Sequence, residues 1–443
     1  MNWGFLSGFI LGFFIVSALQ AQPLRRKASL GIVPAPVENG IAIEEVTGGT
    51  AKALGLKQKD VIVSMNSKPI AQISDLMQAM NGQKAGDAVE IGVLREGKSK
   101  TLKGKFQPKE LETSAVSDVL YDDAPYKQGR LRVIVNKPYG KERYPAMLFI
   151  PGYTCTSIDN LPDYHPYKRV IDAYVKAGFV TLRIEKSGLG DSENTPDCES
   201  CDLYDEIENF RVGLRKLKSL PYVDTSKIII VGHSMGGIVA PAIAAKERVA
   251  GVVVYGTTAK SWFEYQIEMY RVQNLLAGMD PLEYEASIVS QYDLNYRFFV
   301  EKASLEDLAK DTAKARILRE QWMYDGQGKI YSRNANYWRQ IQDVPHLQHW
   351  KDTQAKVLVQ YGASDFQAFS LADHEQIVRT VNHYKPGTAT LKTYPETDHY
   401  FAKSGSMQQA FDLFNQGQYQ KLFDLYNTAV GTDAVNWSLE VIR

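Results

Sequence analysis

The sequence predicts an α/β protein: a doubly wound, mostly parallel sheet with helices on both faces, preceded by a small β-rich domain. Two patterns carry this prediction. Beyond residue 121, continuous apolar runs, among them Ala146 to Ile150, Val180 to Ile184, Ile228 to Val231 and Val249 to Tyr255, alternate with helical stretches such as Tyr167 to Ala177 and Tyr204 to Leu220. Runs of that kind, apolar at most positions, suit strands buried on both faces of a parallel sheet. Before residue 107 the runs are short and separated by turns, with Ile41 to Ile43, Val61 to Val63 and Val89 to Leu94 as strands.

Composition narrows the function. The 443 residues carry 51 Lys and Arg against 51 Asp and Glu, a balance that argues against a nucleic-acid binder or a protein of acidic membrane surfaces. Residues Trp3 to Leu19 form an apolar run ending at Leu19-Gln20-Ala21, which predicts a signal peptide over 1–21, cleaved after Ala21, and export to a periplasmic or extracellular space. The basic residues Arg25, Arg26 and Lys27 follow the run, and the alternative they leave open is an uncleaved membrane anchor. The expected organisation is then a β-rich domain over 28–106, a linker over 107–121 and an α/β domain over 122–443, with an insert at about 257–350.

In the first domain, Ser29-Leu30-Gly31-Ile32, Ala53-Leu54-Gly55-Leu56-Lys57 and Asp60-Val61-Ile62 follow one another at a spacing that resembles a PDZ domain of the bacterial protease-associated type. Lys59 stands where that family usually has glycine. The resemblance implies a peptide-binding groove. An extended peptide or protein C-terminus would add as a strand, its carboxylate received by the amides of Leu30, Gly31 and Ile32.

In the second domain, Ile228-Ile229-Ile230-Val231 leads into Gly232-His233-Ser234-Met235-Gly236-Gly237 and then an alanine-rich helical run. This is a G-x-S-x-G turn between strand and helix, which exposes a nucleophilic serine hydroxyl. A serine needs a base, and the base needs an orienting acid, in the chain order Ser, acid, His. Asp365 follows the run Val357 to Tyr361, and His399 follows the last strand, Ala389 to Thr393; Glu396 and Asp398 adjoin His399 and are the weaker acids. Oxyanion donors are expected from the backbone N–H groups of Met235 and of Tyr153, which follows Pro151-Gly152.

With the triad and Arg183-Ile184-Glu185-Lys186-Ser187-Gly188-Leu189-Gly190-Asp191-Ser192, the region resembles an α/β-hydrolase of the serine-esterase and serine-aminopeptidase type. Pro151-Gly152 departs from the His-Gly of many members. The resemblance implies hydrolysis of esters, amides or thioesters without a cofactor, and a helical cap formed by the insert, which is rich in aromatic residues. A serine esterase with an accessory PDZ domain is the first expectation. A peptidase, with Glu264 and Glu268 as carboxylates able to hold a substrate terminus, is the alternative, and a PDZ scaffold with a vestigial hydrolase is the third. The substrate is accordingly a small ester or a peptide. No cluster of ligands predicts a metal site. Of three cysteines, Cys155 is expected to pair with Cys198 or Cys201, tethering the oxyanion loop.

Overall fold

A computed structural model describes residues 22–140 and 142–443. The expected signal segment lies outside them. Among the described residues no helix is long and apolar enough to cross a membrane.

The large sheet has eight strands: β1 (Ser117–Tyr126), β2 (Gly129–Pro138), β3 (Tyr144–Ile150), β4 (Val180–Ile184), β5 (Val223–His233), β6 (Gly251–Tyr255), β7 (Lys356–Gly362) and β8 (Ala389–Tyr394). They lie in the order β8-β7-β6-β5-β3-β4-β2-β1. From β4 to β8 all pairings are parallel, while β2 pairs antiparallel with both β4 and β1. Val180–Ile184 and Gly251–Tyr255 are buried at every residue; Thr181 and Arg183 interrupt the apolar run of the first, where Arg183 is paired with Glu112. Helices Pro166–Lys176 and Thr428–Val441 cover one face, where Ile171, Tyr174, Ala434 and Val435 pack on Met147 and Ile229. Leu203–Ser219, Gly236–Ala244 and Leu371–Tyr384 cover the other. Each fully buried Ile, Leu or Phe in these layers contributes about 1.5–3 kcal/mol.

The amino-terminal module is an antiparallel sheet in the order Ile32–Val37, Gly40–Val46, Val61–Met65, Ala88–Arg95, Lys98–Lys105, with helices Gly49–Leu54 and Ile73–Met80. Ile41, Ile62, Met65, Ile91 and Val93 form its core. Lys59 sits at φ 70, so the position keeps a left-handed turn although its residue is not glycine.

Two expectations need correction. Residues 107–121 are not a free linker: β1 begins at Ser117, and Glu112 pairs with the buried Arg183 at 2.8 Å. An edge strand with no regular alternation, interrupted by Asp122-Asp123 and Pro125, concealed it from the sequence. The insert also ends earlier than 350. Its helix His346–Asp352 packs on Gly236–Ala244 and Leu371–Tyr384, as part of the sheet's helical cover.

The module and the sheet meet at Asp191. Its carboxylate accepts from the Lys27 N–H at 2.7 Å and pairs with Arg26 (2.6 Å) and Arg132 (3.0 Å). Its carbonyl accepts from the Lys84 ammonium at 3.1 Å.

Cys155 is bonded to Cys198, and Cys201 is free and buried. The sequence left both partners open, and the bridge takes the nearer of them in the chain. With a separation of 43 residues, reduction is expected to cost roughly 2–4 kcal/mol of stability, measured as the loss in denaturant unfolding on adding a reductant. Peptide mapping without reduction should recover the Cys155–Cys198 pair and an alkylated Cys201.

Candidate functional site

Strand β5 ends at His233, and Gly236–Ala244 begins two residues beyond Ser234. The chain can turn that sharply only because Ser234 takes φ 56, a strained value for a serine, fixed by its N–H to the Tyr255 carbonyl (2.9 Å) and by its carbonyl to the Gly237 N–H (2.8 Å). A side chain at Gly236 would sit 2.3 Å from the Ile150 carbonyl oxygen, so the turn presses directly on the end of β3.

Asp365 lies just past β7 and is fully buried. One carboxylate oxygen accepts from the N–H groups of Gln367 (2.8 Å) and Ala368 (2.7 Å), and the other meets His399 Nδ1 at 2.8 Å. Burial alone would raise its pKa, but His399 and these amides outweigh burial and hold it below the usual carboxylate value. Asp398 instead accepts from the backbone of Tyr400 and Ala402, and burial pushes its pKa up to about 6. The structure therefore joins His399 to Asp365 rather than to its neighbours in sequence.

His233, which the sequence marked only as flanking Ser234, has a partner at each nitrogen. Nε2 is 2.9 Å from the His399 carbonyl, which can only accept, so Nε2 carries the proton; Nδ1 then accepts from the Tyr167 hydroxyl at 2.8 Å. Burial lowers its pKa to about 3, keeping it neutral. Tyr167 in turn accepts from the Gly152 N–H at 3.3 Å. One hydrogen-bonded chain thus runs from Gly152 to the backbone of His399.

The Gly152–Tyr153 segment is held from the other side by buried charge. Lys186 Nζ donates to the Gly152 carbonyl at 2.6 Å, and Arg333 donates to the Tyr153 carbonyl at 2.6 Å. Both cations pair with Glu206, at 3.0 and 2.8 Å. A peptide unit is planar and trans, so fixing the Gly152 oxygen fixes the opposite direction of the Tyr153 N–H. The N–H groups of Tyr153 and Met235 donate to no other described group. Burial, opposed by Glu206, lowers the Lys186 pKa to about 8. Glu206, Arg333, Tyr167 and the role of Lys186 escaped the sequence reading. The available signal was Glu206 on the buried face of its helix, beside Leu203 and Phe210.

Ser234, His399, Tyr153 and Met235 line one cavity of about 1020 Å³ beneath the insert. Trp262, Tyr265, Tyr270, Trp322 and Trp338 of the insert contribute to its walls. Glu264 and Glu268 do not: Glu264 caps its own helix at Ser261, and Glu268 pairs with Lys260. Among the described residues no group of His, Cys, Asp or Glu could hold a metal ion.

In the module, Leu30 is buried and Ile32 opens the edge strand Ile32–Val37. The N–H groups of Leu30 and Gly31 donate to no described group, whereas their carbonyls accept from Ala51 and Thr47. Gly31, at φ 75, is required by the chain itself: a side chain there would lie 2.2 Å from the Gly48 oxygen. Pro34 and Pro36 occupy ladder positions opposite Ile43 and Ile41. A proline holds such a position only with its nitrogen toward the open edge, so this edge lacks two of the donors that strand addition uses.

The chain belongs to the alpha/beta hydrolase family, whose profile matches residues 147–412. Residues 28–105 match the PDZ domain. Among curated proteins the chain is similar to "Serine protease Do-like HtrA" of Bacillus subtilis (strain 168), 33% identical over 106 residues, 24% of either chain. It is also similar to "Probable periplasmic serine endoprotease DegP-like" of Marinomonas sp. (strain MWYL1), 34% identical over 89 residues, 19% of either chain. The matched stretches thus span 24% and 19% of these relatives' lengths. Similar solved structures include Est1E from Butyrivibrio proteoclasticus (18% identity, TM-score 0.42, covering 69% of this chain and 98% of that one). Another is proline iminopeptidase of Mycobacterium smegmatis (14% identity, TM-score 0.42, 72% and 98%).

Replacing Lys186 by Met frees the Gly152 carbonyl. The expected result is about a hundredfold loss in kcat on an activated ester, the size of losing one oxyanion donor. The unsubstituted protein should lose rate as the pH rises through about 8, where Lys186 discharges, and the variant should lack that limb.

Proposed function

We propose that the protein is a serine esterase in which Ser234 is the nucleophile, His399 the base and Asp365 the group that orients it. The observation that carries this reading is that Ser234, in a strained turn, and the His399 of a buried His399–Asp365 pair line the same cavity. With Asp365 ionised, His399 keeps its proton on Nδ1 and offers Nε2 to the serine hydroxyl. Ser234 Oγ attacks the ester carbonyl, the oxyanion meets the N–H groups of Tyr153 and Met235, and His399 returns the proton to the departing alcohol. A water deprotonated by His399 then releases the acid.

The peptidase reading is weaker. A site for a free amino terminus needs a carboxylate, and no Asp or Glu lines the cavity. The Cys155–Cys198 bridge supports export to an oxidising compartment, in keeping with a cleaved signal over 1–21.

Ser234→Ala should lower turnover of p-nitrophenyl acetate by several orders of magnitude. A fluorophosphonate should label the unsubstituted protein at Ser234 alone; absence of labelling in folded protein would favour the vestigial reading.

For the module, we infer capture of a C-terminal carboxylate at Leu30, Gly31 and Ile32 with little strand pairing beyond it. Peptide binding by the full chain should then vanish on amidating the peptide terminus. Lengthening the peptide from three to eight residues should change Kd less than about threefold, because the edge at Pro34 and Pro36 offers no donors.

A further inference from the structure

The cavity above Ser234 is far larger than a short acyl group requires, at the upper end of small-molecule sites. Its lining contains no Asp, Glu, Lys or Arg. Polar groups nevertheless crowd it, and nearly all are carboxamides or hydroxyls. The carboxamides are held in place by the protein while leaving one atom unused. Gln273 Nε2 donates to the Phe366 carbonyl (3.1 Å) and Gln367 Nε2 to the Tyr400 hydroxyl (3.2 Å), which leaves two acceptor oxygens. Gln266 Oε1 accepts from Tyr331 (3.4 Å) and Gln321 Oε1 from Gln291 (2.9 Å), which leaves two donor amides.

Three further lining groups have no hydrogen-bond partner in the protein although each residue is more than nine-tenths buried: Trp262 Nε1, Asn295 Oδ1 and Thr257 Oγ1. These three atoms are themselves closed off within the wall, so the groups open to a ligand are the free atoms of the four carboxamides. The three extend from Thr257, against Gly237 of the nucleophile turn, to Asn295 in the helix Pro281–Phe299. Between them stands an aromatic wall, in which Trp262 stacks on Tyr265 at 4.4 Å and on Trp338 at 5.5 Å.

A charged ligand would enter this space with no counter-ion, and burying an unpaired charge is costly. A purely hydrocarbon ligand would leave the free amide atoms unpaired, which is also costly. Hydroxyl groups both donate and accept, so they can satisfy a mixed array of amide oxygens and nitrogens, and the C–H faces of a sugar ring can lie on aromatic rings.

We propose that the substrate is an O-acyl ester of an uncharged carbohydrate, its sugar held by the amides and aromatic rings of the cavity and its ester carbonyl presented to Ser234. This rests on the serine-esterase reading above. In the first step the bond from Ser234 Oγ to the acyl carbon forms, the bond from that carbon to the sugar oxygen breaks, and the serine proton passes through His399 to the sugar oxygen. Water then takes up the acyl group and the carboxylic acid leaves.

The test uses the full chain and three probes of one size: mono-O-acetylated methyl glucoside, methyl glucuronide and methyl glucosaminide with its amine protonated. The glucoside should exceed each charged analogue in kcat/KM by at least about tenfold, since a site built for hydroxyls leaves polar groups unpaired with the wrong ligand. Gln273→Leu removes one of the free amide oxygens, and should raise KM for the glucoside ester severalfold more than KM for p-nitrophenyl acetate. Equal turnover of the charged esters, or faster turnover of an ester of a blocked neutral peptide, overturns the proposal. Loss of all ester turnover together with an unlabelled Ser234 would sink the esterase reading instead. The carbohydrate site is then decided by calorimetry on Ser234→Ala protein, which should bind the uncleaved glucoside ester in preference to the other two; absence of that preference overturns the proposal.

Discussion

The arrangement around Ser234 depends on one buried carboxylate. Glu206 balances Lys186 and Arg333, and each cation spends a further hydrogen bond on a carbonyl of the Gly152–Tyr153 segment. Every member is nearly excluded from water. Such a triad contributes little net stability, because desolvation offsets attraction, but removing one member strands a charge at a cost of about 3–5 kcal/mol. The value of the triad lies in geometry. Its members come from the helix Leu203–Ser219, from the loop after β4 and from the insert, so a single acid ties insert, sheet and the Gly152–Tyr153 segment together.

The parts of the molecule that obey a strong local rule were legible in the sequence. Largely apolar runs identified β3 to β7, and Gly232-His233-Ser234-Met235-Gly236 announced its turn through its place between a strand and a helix. What remained hidden depends on contacts between distant elements. Ser117–Tyr126 is an edge strand in which acidic residues and a proline break up the apolar residues, and it reads as a connector. Arg333 is one cation among many in the insert until folding sets it 3.8 Å over the Tyr337 ring and against Glu206. The two prolines of the module's edge strand were visible from the outset, but their meaning required knowing which side of that strand stays open.

Charge is distributed with the same economy across the molecule. Buried ionic groups lie beside the Gly152–Tyr153 segment and at the junction between module and sheet, while the lining of the cavity at Ser234 has no Asp, Glu, Lys or Arg. The buried charges hydrogen-bond to backbone carbonyls, and the cavity lining offers amides, hydroxyls and aromatic rings.

The junction at Asp191 has a consequence for how the protein can be taken apart. Asp191 closes the loop that Lys186 opens, and the module supplies Arg26, the Lys27 amide and the Lys84 ammonium to it. Excising residues 22–106 would leave that aspartate with Arg132 as its remaining cation among these and would remove three of the contacts that hold the loop after β4. The hydrolase is thus not an independent cassette with a detachable adaptor. Shuffling its module for another would have to preserve that electrostatic seam as well as the peptide groove.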